Sequence, residues 1–362
     1  MKIINVVGTR PNFIKIAPVM EQMLFADGID PLLLHTGQHY DSNMNQVFFD
    51  QLGIPRPDID LGVGSGTISN QVAEIIKLFD PVLESEKPDS VLVVGDVSST
   101  VACALAASYR RIPIIHVEAG LRSFDMDMPE EINRILTDRL SDLLFTTESC
   151  AAINLQRENV DSRKVHFVGN VMVDTLLKHR QIADENSEIL NRLKLEKRNY
   201  AVMTLHRPSN VDHKSVLTSI MNAIAQISQK IKIIFAIHPR TKKMMKEFGL
   251  DNLSNSITFL EPQSYLDMLQ LMNHAKMVLT DSGGMQEETS VLEVPCLTIR
   301  KNTERPVTVE EGSNTLVGTE GKDILQAADK ILSTGGKRGH CPDLWDGCAA
   351  ERIVNIIKKW DF

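Results

Sequence analysis

Short apolar runs rich in Val, Ile and Leu recur along the chain, and longer stretches of helical periodicity separate them. In the first half, Ile3–Val7, Pro31–Leu34, Ser90–Val94, Ile112–Val117, Leu143–Thr146 and Val165–Val168 read as strands. Helices are predicted from about Asn12 to Leu24, over Gln71–Leu83, and through an Ala-rich stretch ending near Arg110. The strands are continuous rather than alternating, which implies a parallel sheet covered on both faces. Val171–Arg198, helical and charged, reads as hinge and linker. The alternation then restarts with strands at Tyr200–Leu205, Ile231–Ile237, Ile257–Leu260, Ala275–Thr280 and Pro295–Ile299. Helices follow at Ser215–Ser228, Tyr265–His274, Asp323–Leu332 and Ala349–Trp360. The fold class expected is α/β, with two doubly wound Rossmann-like domains facing a cleft. The expected boundaries are 1–169 and 170–348, with the last helix, 349–362, crossing back to the first domain.

The stretch from Asp281 to Ser290 stands out because a strand-like run leads into it and a segment free of Pro and Gly follows as far as Leu292. Ser282, Gly283 and Gly284 fall at the turn. Glycines there let the backbone bend tightly and let a ligand come close. The first N–H groups of the helix lack internal partners and sit at the positive end of its dipole, which suits a diphosphate. Glu287 and Glu288 lie one turn further in, where an acid reaches the hydroxyls of a ribose attached to those phosphates. An ordinary capped turn with acids on a solvated face is the bland alternative.

Composition narrows the partners. The chain has 362 residues, long enough for two cores, and a formal charge of −8. That charge argues against nucleic acid or a polybasic membrane contact, so an anionic ligand requires individual cations. The five cysteines have no C-x-x-C spacing, which suits free thiols in a reducing cytosol. No run is long and apolar enough to span a bilayer, and the first residues do not form a signal peptide. The expected location is cytoplasmic.

Ligands of doubly wound sheets sit at the carboxyl ends of the strands. Arg10, Asp96 and Glu118 lie there in the first half, with Lys15 as a further cation and Glu130 and Glu131 beyond, and His206 and Arg305 lie there in the second. A nucleotide seat in one domain and several carboxylates in the other describe nucleotide-sugar chemistry. Two motifs carry less. Gly62-Val63-Gly64-Ser65-Gly66 resembles a dinucleotide loop but follows no predicted strand. His35 and His39 are four apart, a metal spacing only on a helix, and here they flank a strand end.

Taken together, Gly8-Thr9-Arg10-Pro11, Gly95-Asp96, His116-Val117-Glu118-Ala119-Gly120-Leu121-Arg122, Pro129-Glu130-Glu131-Ile132-Asn133-Arg134, Asp281-Ser282-Gly283-Gly284 and Thr303-Glu304-Arg305-Pro306 resemble the non-hydrolysing UDP-N-acetylglucosamine 2-epimerases. The motifs occur in order from residue 8 to 318 and are jointly specific. The resemblance implies a glycosyltransferase-B-like fold and reversible conversion of UDP-N-acetylglucosamine to UDP-N-acetylmannosamine. It also implies a homodimer, a place in cell-surface polysaccharide synthesis, and no metal or redox cofactor. Carried over by position, it gives Arg10, Lys15, Ser282, Gly283, Gly284, Glu288 and Arg305 to UDP. Asp96, Glu118, Glu130, Arg134 and His206 surround the reacting sugar.

The chemistry that such a family performs accounts for the number of acids. The sugar C2–H has no carbonyl beside it and is not acidic. UDP therefore leaves C1 with oxocarbenium character while C2–H is removed, giving 2-acetamidoglucal; UDP then adds back and the proton returns on the other face. Carboxylates stabilise the cation and take the proton, and cations stabilise the departing diphosphate. Two places depart from the pattern of many bacterial members. His206-Arg207 continues as Pro208-Ser209, and Gln38-His39 as Tyr40-Asp41, so activation by a second UDP-sugar is not expected. A glycosyltransferase, a non-catalytic UDP-sugar sensor, a hydrolysing relative and a substrate modified at C3 or C6 are the competing readings.

Overall fold

A computed structural model describes residues 1–38, 49, 53–250 and 256–360. The chain folds as two compact units, residues 1–175 with 343–362, and residues 176–342.

The first unit contains seven strands, β1 (Lys2–Val7), β2 (Asp30–His35), β3 (Ile59–Asp60), β4 (Ser90–Val94), β5 (Ile114–Ala119), β6 (Leu143–Thr146) and β7 (Val165–Phe167). They pair in the order β3-β2-β1-β4-β5-β6-β7, and every pair is parallel. The order reverses between β1 and β4, the point at which such sheets open a ligand crevice. Every residue of β4 and β5 is buried, which is why both read as unbroken apolar runs. The helix Ser98–Tyr109 brings Ala102, Ala104, Ala106 and Ala107 into the core. These small side chains bring the helix close to its neighbour Ile68–Glu86 and to Phe79, which is fully buried. Truncating a buried Phe costs about 3–5 kcal/mol, so this contact anchors the layer beneath β4.

The helix Arg10–Leu24 begins in the turn after β1. Asn12 Oδ1 accepts from Thr9 N (3.0 Å) and Thr9 Oγ1 (2.9 Å), while its Nδ2 donates to Val94 O (3.0 Å). One amide therefore caps the helix and ties the β1 turn to the end of β4. At the other end of the chain, Asp174 accepts from Ala349 N (3.2 Å) and Ala350 N (2.7 Å), so it caps the helix Ala349–Ile357. That helix packs on Arg10–Leu24.

The second unit contains β8 (Tyr200–Met203), β9 (Lys232–Ala236), β10 (Ile257–Leu260), β11 (Met277–Thr280), β12 (Cys296–Thr298) and β13 (Asn314–Leu316). All are parallel, in the order β10-β9-β8-β11-β12-β13. The order reverses between β8 and β11. The helices Lys214–Ile227 and Gly321–Thr334 pack together over one face, with Leu217, Ile220, Ile224, Ile324 and Ala328 in the core.

The helical expectation after Val171 holds for Val171–Asn186, in which Val171, Val173, Leu176 and Ala183 are buried. Other expectations need correction. Glu130, expected from sequence to arrive from a loop before Asn133 and Arg134, lies in the first turn of the helix Pro129–Leu140. The glycine run 62–66 does follow a strand, β3. Its Val63 N and Gly64 N bond Thr36 O (3.1 Å) and Gly37 O (2.8 Å), so the run braces the end of β2. His35 lies in β2 with Nδ1 3.5 Å from Asp60; His39, Tyr40 and Asp41 lie outside the described residues.

Candidate active site

In the first unit, the carboxyl ends of neighbouring strands β4 and β5 carry Asp96 and Glu118. Gly95 turns the chain at φ +71° and donates its N–H to Val117 O (3.1 Å). Glu118 has φ +74°, unusual for a residue with a Cβ, and the β5–β6 register shifts between Val117 and Ala119. A local irregularity of this kind re-aims a side chain. A non-glycine residue in the left-handed region costs roughly 1–3 kcal/mol, so the surrounding contacts must enforce it.

Both acids are paired with cations. Glu118 forms an ion pair with Lys15 Nζ, and both side chains are almost wholly buried. Asp96 Oδ2 accepts from Arg134 Nε (2.9 Å) and Nη2 (2.7 Å). Arg134 Nη1 also reaches Glu131 (2.5 Å), and Asn133 Nδ2 holds Asp96 O (2.8 Å). Glu131 is fixed in turn by Ser123 N and Oγ (both 2.9 Å) and Phe124 N (2.8 Å). The adjacent Glu130 is half-buried and makes no hydrogen bond or ion pair among the described residues. The helix Pro129–Leu140 thus supplies one anchored carboxylate and one unengaged one. Arg10, half-buried, opens the helix Arg10–Leu24.

In the second unit, β8 and β11 are neighbours, and the residues after them meet. Asp281, fully buried, accepts from His206 N (3.0 Å), Arg207 N (2.8 Å) and Asn210 Nδ2 (3.1 Å). His206 Nδ1 stands 2.8 Å from its Oδ1. Burial opposes charge on Asp281, but the His206 side chain and these N–H donors outweigh it and hold the carboxyl below its usual range. An ionised Asp281 places the imidazole proton on Nδ1 and leaves Nε2 for chemistry. The His206 side chain is 42% exposed, so that nitrogen is accessible.

Ser282 is the N-cap of the helix Gly283–Val291 but makes no side-chain capping bond. It is half-buried with Gly283 and Gly284, which leaves the first helical N–H groups for a ligand. A Cβ on Gly283 would lie 2.7 Å from Arg305 Nη1 and 2.8 Å from Glu304 Oε1, so only glycine lets this guanidinium sit against the helix start. Arg305 is held by Glu287 (Nε, 2.7 Å) and Glu304 (Nη1, 2.7 Å), and Arg300 also pairs with Glu304 (2.7 Å). Burial pushes the Glu304 carboxyl up, but Arg305 and Arg300 overcome it and set it well below the ordinary range. Gln286 fastens this loop to the helix: its Oε1 accepts from Thr303 Oγ1 (2.7 Å) and Asn314 Nδ2 (3.1 Å). Glu288, also buried, accepts from Tyr265 OH (3.2 Å). Its burial pushes it up to about 7 despite that bond, and neighbouring Glu287 adds to the rise.

Residue positions alone placed Asp96, Glu118, His206 and the glycine turn at or just beyond strand ends, where the structure has them. They did not reveal their partners: Asp281 for His206, Tyr265 for Glu288, or Glu287 and Glu304 for Arg305. The sequence signal for Asp281 and His206 was present, since each directly follows a run that reads as a strand, but their contact depends on β8 lying beside β11.

The family model for UDP-N-acetylglucosamine 2-epimerase matches residues 23–358. A Methanocaldococcus jannaschii protein named UDP-N-acetylglucosamine 2-epimerase is 44% identical, with 99% of each chain covered. A Pseudomonas aeruginosa protein named UDP-2,3-diacetamido-2,3-dideoxy-D-glucuronate 2-epimerase is 40% identical over 99% of this chain and all of its own length. The crystal structure of M. jannaschii UDP-GlcNAc 2-epimerase with UDP-GlcNAc and UDP matches with a TM-score of 0.92 and 42% identity. It covers 99% of this chain and all of that one. The fold is accordingly glycosyltransferase-B-like, built from two Rossmann-type units.

Proposed function

This chain belongs to the UDP-N-acetylglucosamine 2-epimerase family, and on that premise we propose that it interconverts UDP-N-acetylglucosamine and UDP-N-acetylmannosamine by eliminating and re-adding UDP. The observation that carries the proposal is the pair Asp96 and Glu118 on adjacent strand ends, each with its own cation. Two carboxylates are what a reaction through an oxocarbenium-like state and a C2 proton transfer requires. Lys15 lies against Glu118 and Arg134 against Asp96 as counter-charges. Glu130, unengaged among the described residues, is a third acid for the sugar.

The seat for UDP is the helix start Ser282–Gly284, with Arg305 beneath it and Glu288 toward the ribose. His206, oriented by Asp281, passes a proton to or from the departing UDP oxygen through Nε2. Incubation with UDP-N-acetylglucosamine should produce its C2 epimer and no free sugar; free N-acetylmannosamine as the sole product would mean a hydrolase instead.

One observation supports a second reading of the substrate. A relative 40% identical over the full length is named for a sugar with an acetamido group at C3 and a uronate at C6. Competition between that nucleotide sugar and UDP-N-acetylglucosamine, compared by kcat/KM, decides between them. We also infer a homodimer and a cytoplasmic location. Phe124, Met126, Ile132 and Leu136 are exposed on the helix Pro129–Leu140 and the loop before it, an apolar face suited to a second copy. No cysteine is in a disulfide among the described residues, and no described helix is long and apolar enough to cross a membrane.

A further inference from the structure

The residues beneath the two acids form a buried charge network that the reaction as described leaves unused. His116, fully buried in β5, has Nε2 3.0 Å from Gly95 O and Nδ1 2.7 Å from Asp138 Oδ1. Asp138 Oδ2 accepts from Gly120 N (3.1 Å) and Arg122 Nη1 (2.7 Å). Arg122 Nη1 also donates to Leu121 O (2.7 Å), and the guanidinium forks onto Glu158 (2.8 and 2.7 Å). His116, Asp138 and Arg122 are each 3% exposed or less.

Gly95 directly precedes Asp96, and Gly120 follows two residues after Glu118. A single imidazole–carboxylate pair therefore grips both turns from below. A carbonyl faces one ring nitrogen and a carboxylate the other. All three backbone positions at the top of the strands, Gly95, Glu118 and Gly120, have positive φ, and at Glu118 that carries a steric cost. Buried ion pairs are poor stabilisers compared with apolar packing of equal volume. The sheet could close over β4 and β5 with aliphatic side chains, as it does at Val93, Ile115 and Leu144. What the network provides beyond that is a fixed separation between two turns.

We propose that His116 and Asp138 are positioning residues that lock the Asp96 turn to the Glu118 turn and so set the spacing of the two acids across the sugar. The proposal rests on Asp96 and Glu118 acting on the substrate. It adds that neither can be placed without the dyad between them. Errors of about 1 Å in a reacting geometry reduce rates by about 10²-fold, so loosening either turn should appear in turnover rather than in binding.

The test uses His116→Phe, His116→Gln and Asp138→Asn in the full chain, with kcat, KM and UDP affinity measured for each. Phe keeps a ring but gives Gly95 O no donor, whereas the amide nitrogen of Gln reaches about as far as Nε2. His116→Phe should lose kcat by about a hundredfold while KM and UDP affinity stay within about twofold. His116→Gln should recover a measurable part of that loss, and Asp138→Asn should fall between. If His116→Phe does not fold, the other two variants decide: kcat within twofold of wild type in both overturns the proposal. Equal losses in Phe and Gln, or losses shared between kcat and UDP affinity, would mean that the network only supports the fold. Asp96→Asn and Glu118→Gln run alongside. Full turnover in both would instead remove the functional reading on which the proposal stands.

Discussion

Glu288 shows how a single residue's environment sets a measurable behaviour. Its carboxyl, buried against Tyr265, is pushed from an ordinary value near 4.5 up to about 7. A raised folded-state value means that the folded protein binds the proton more tightly than the unfolded chain. The stabilisation is present below about pH 4.5 and is lost as pH rises through about 7. Between those limits, wild type should lose roughly 3 kcal/mol relative to Glu288→Gln, read from denaturant unfolding of both at a series of pH values. A difference that stays flat across the window would show that Glu288 is already ionised. Ribose hydroxyls donate to a carboxylate, so UDP binding at pH 6 should also release up to about one proton from this site. Calorimetry in buffers of different ionisation enthalpy reads that release directly, and Glu288→Gln should abolish it. Asp96 and Glu118 make the catalytic counterpart: Asp96→Asn and Glu118→Gln should each lose turnover by about 10²–10⁴-fold with UDP binding nearly intact.

Residue identity was the most legible level of the sequence, and residue environment the least. Glu288 was readable as an acid one turn into a helix. Its altered protonation was not, because Tyr265 comes from a different helix and the desolvation from packing. Glu130 and Glu131 are adjacent and chemically alike, yet one is bonded to Ser123, Phe124 and Arg134 and the other is unengaged. Only the direction each faces from the helix Pro129–Leu140 separates them.

At the scale of elements, the strand–turn–helix from β11 to Val291 is the clearest unit. Its strand and helix were visible from apolar continuity and the double glycine, and Ser282 is the N-cap. The charged loop 300–305 was visible only as a motif, and its packing against the helix start appears in the structure alone. Arg305 is clamped by Glu287 and Glu304 within the protein, so its replacement acts twice. Arg305→Ala should weaken UDP binding by about tenfold to a hundredfold through the lost charged hydrogen bonds. It should also destabilise the unit by about 3–5 kcal/mol, because it takes the cation from buried Glu287 and one of the cations from Glu304. Arg10→Ala should show a binding loss of the same order. If calorimetry finds unchanged UDP affinity in both variants, neither arginine contacts the diphosphate.

At the scale of the whole molecule, the alternation of strands and helices announced two parallel sheets, and both are present with the order reversing at β1/β4 and β8/β11. The short strands β3 and β13 were missed because two or three residues carry too little periodicity. Pro208 begins a short helix, Pro208–Val211, directly after His206-Arg207. With proline in place of a second arginine, the rate should follow a simple hyperbola, and UDP-N-acetylmannosamine should react without added UDP-N-acetylglucosamine. A sigmoidal curve, or a reverse reaction silent until UDP-N-acetylglucosamine is supplied, would restore activation by a second UDP-sugar.

The central claim is that Asp96 and Glu118 serve an elimination in which the C2 proton exchanges with solvent before UDP returns. Turnover of UDP-N-acetylglucosamine in deuterated water, followed by proton NMR, tests it most directly. The epimerised product should carry deuterium at C2 and at no other sugar carbon, and Asp96→Asn and Glu118→Gln should slow that incorporation together with epimerisation. Epimer formed under full turnover with protium retained at C2 would contradict the account.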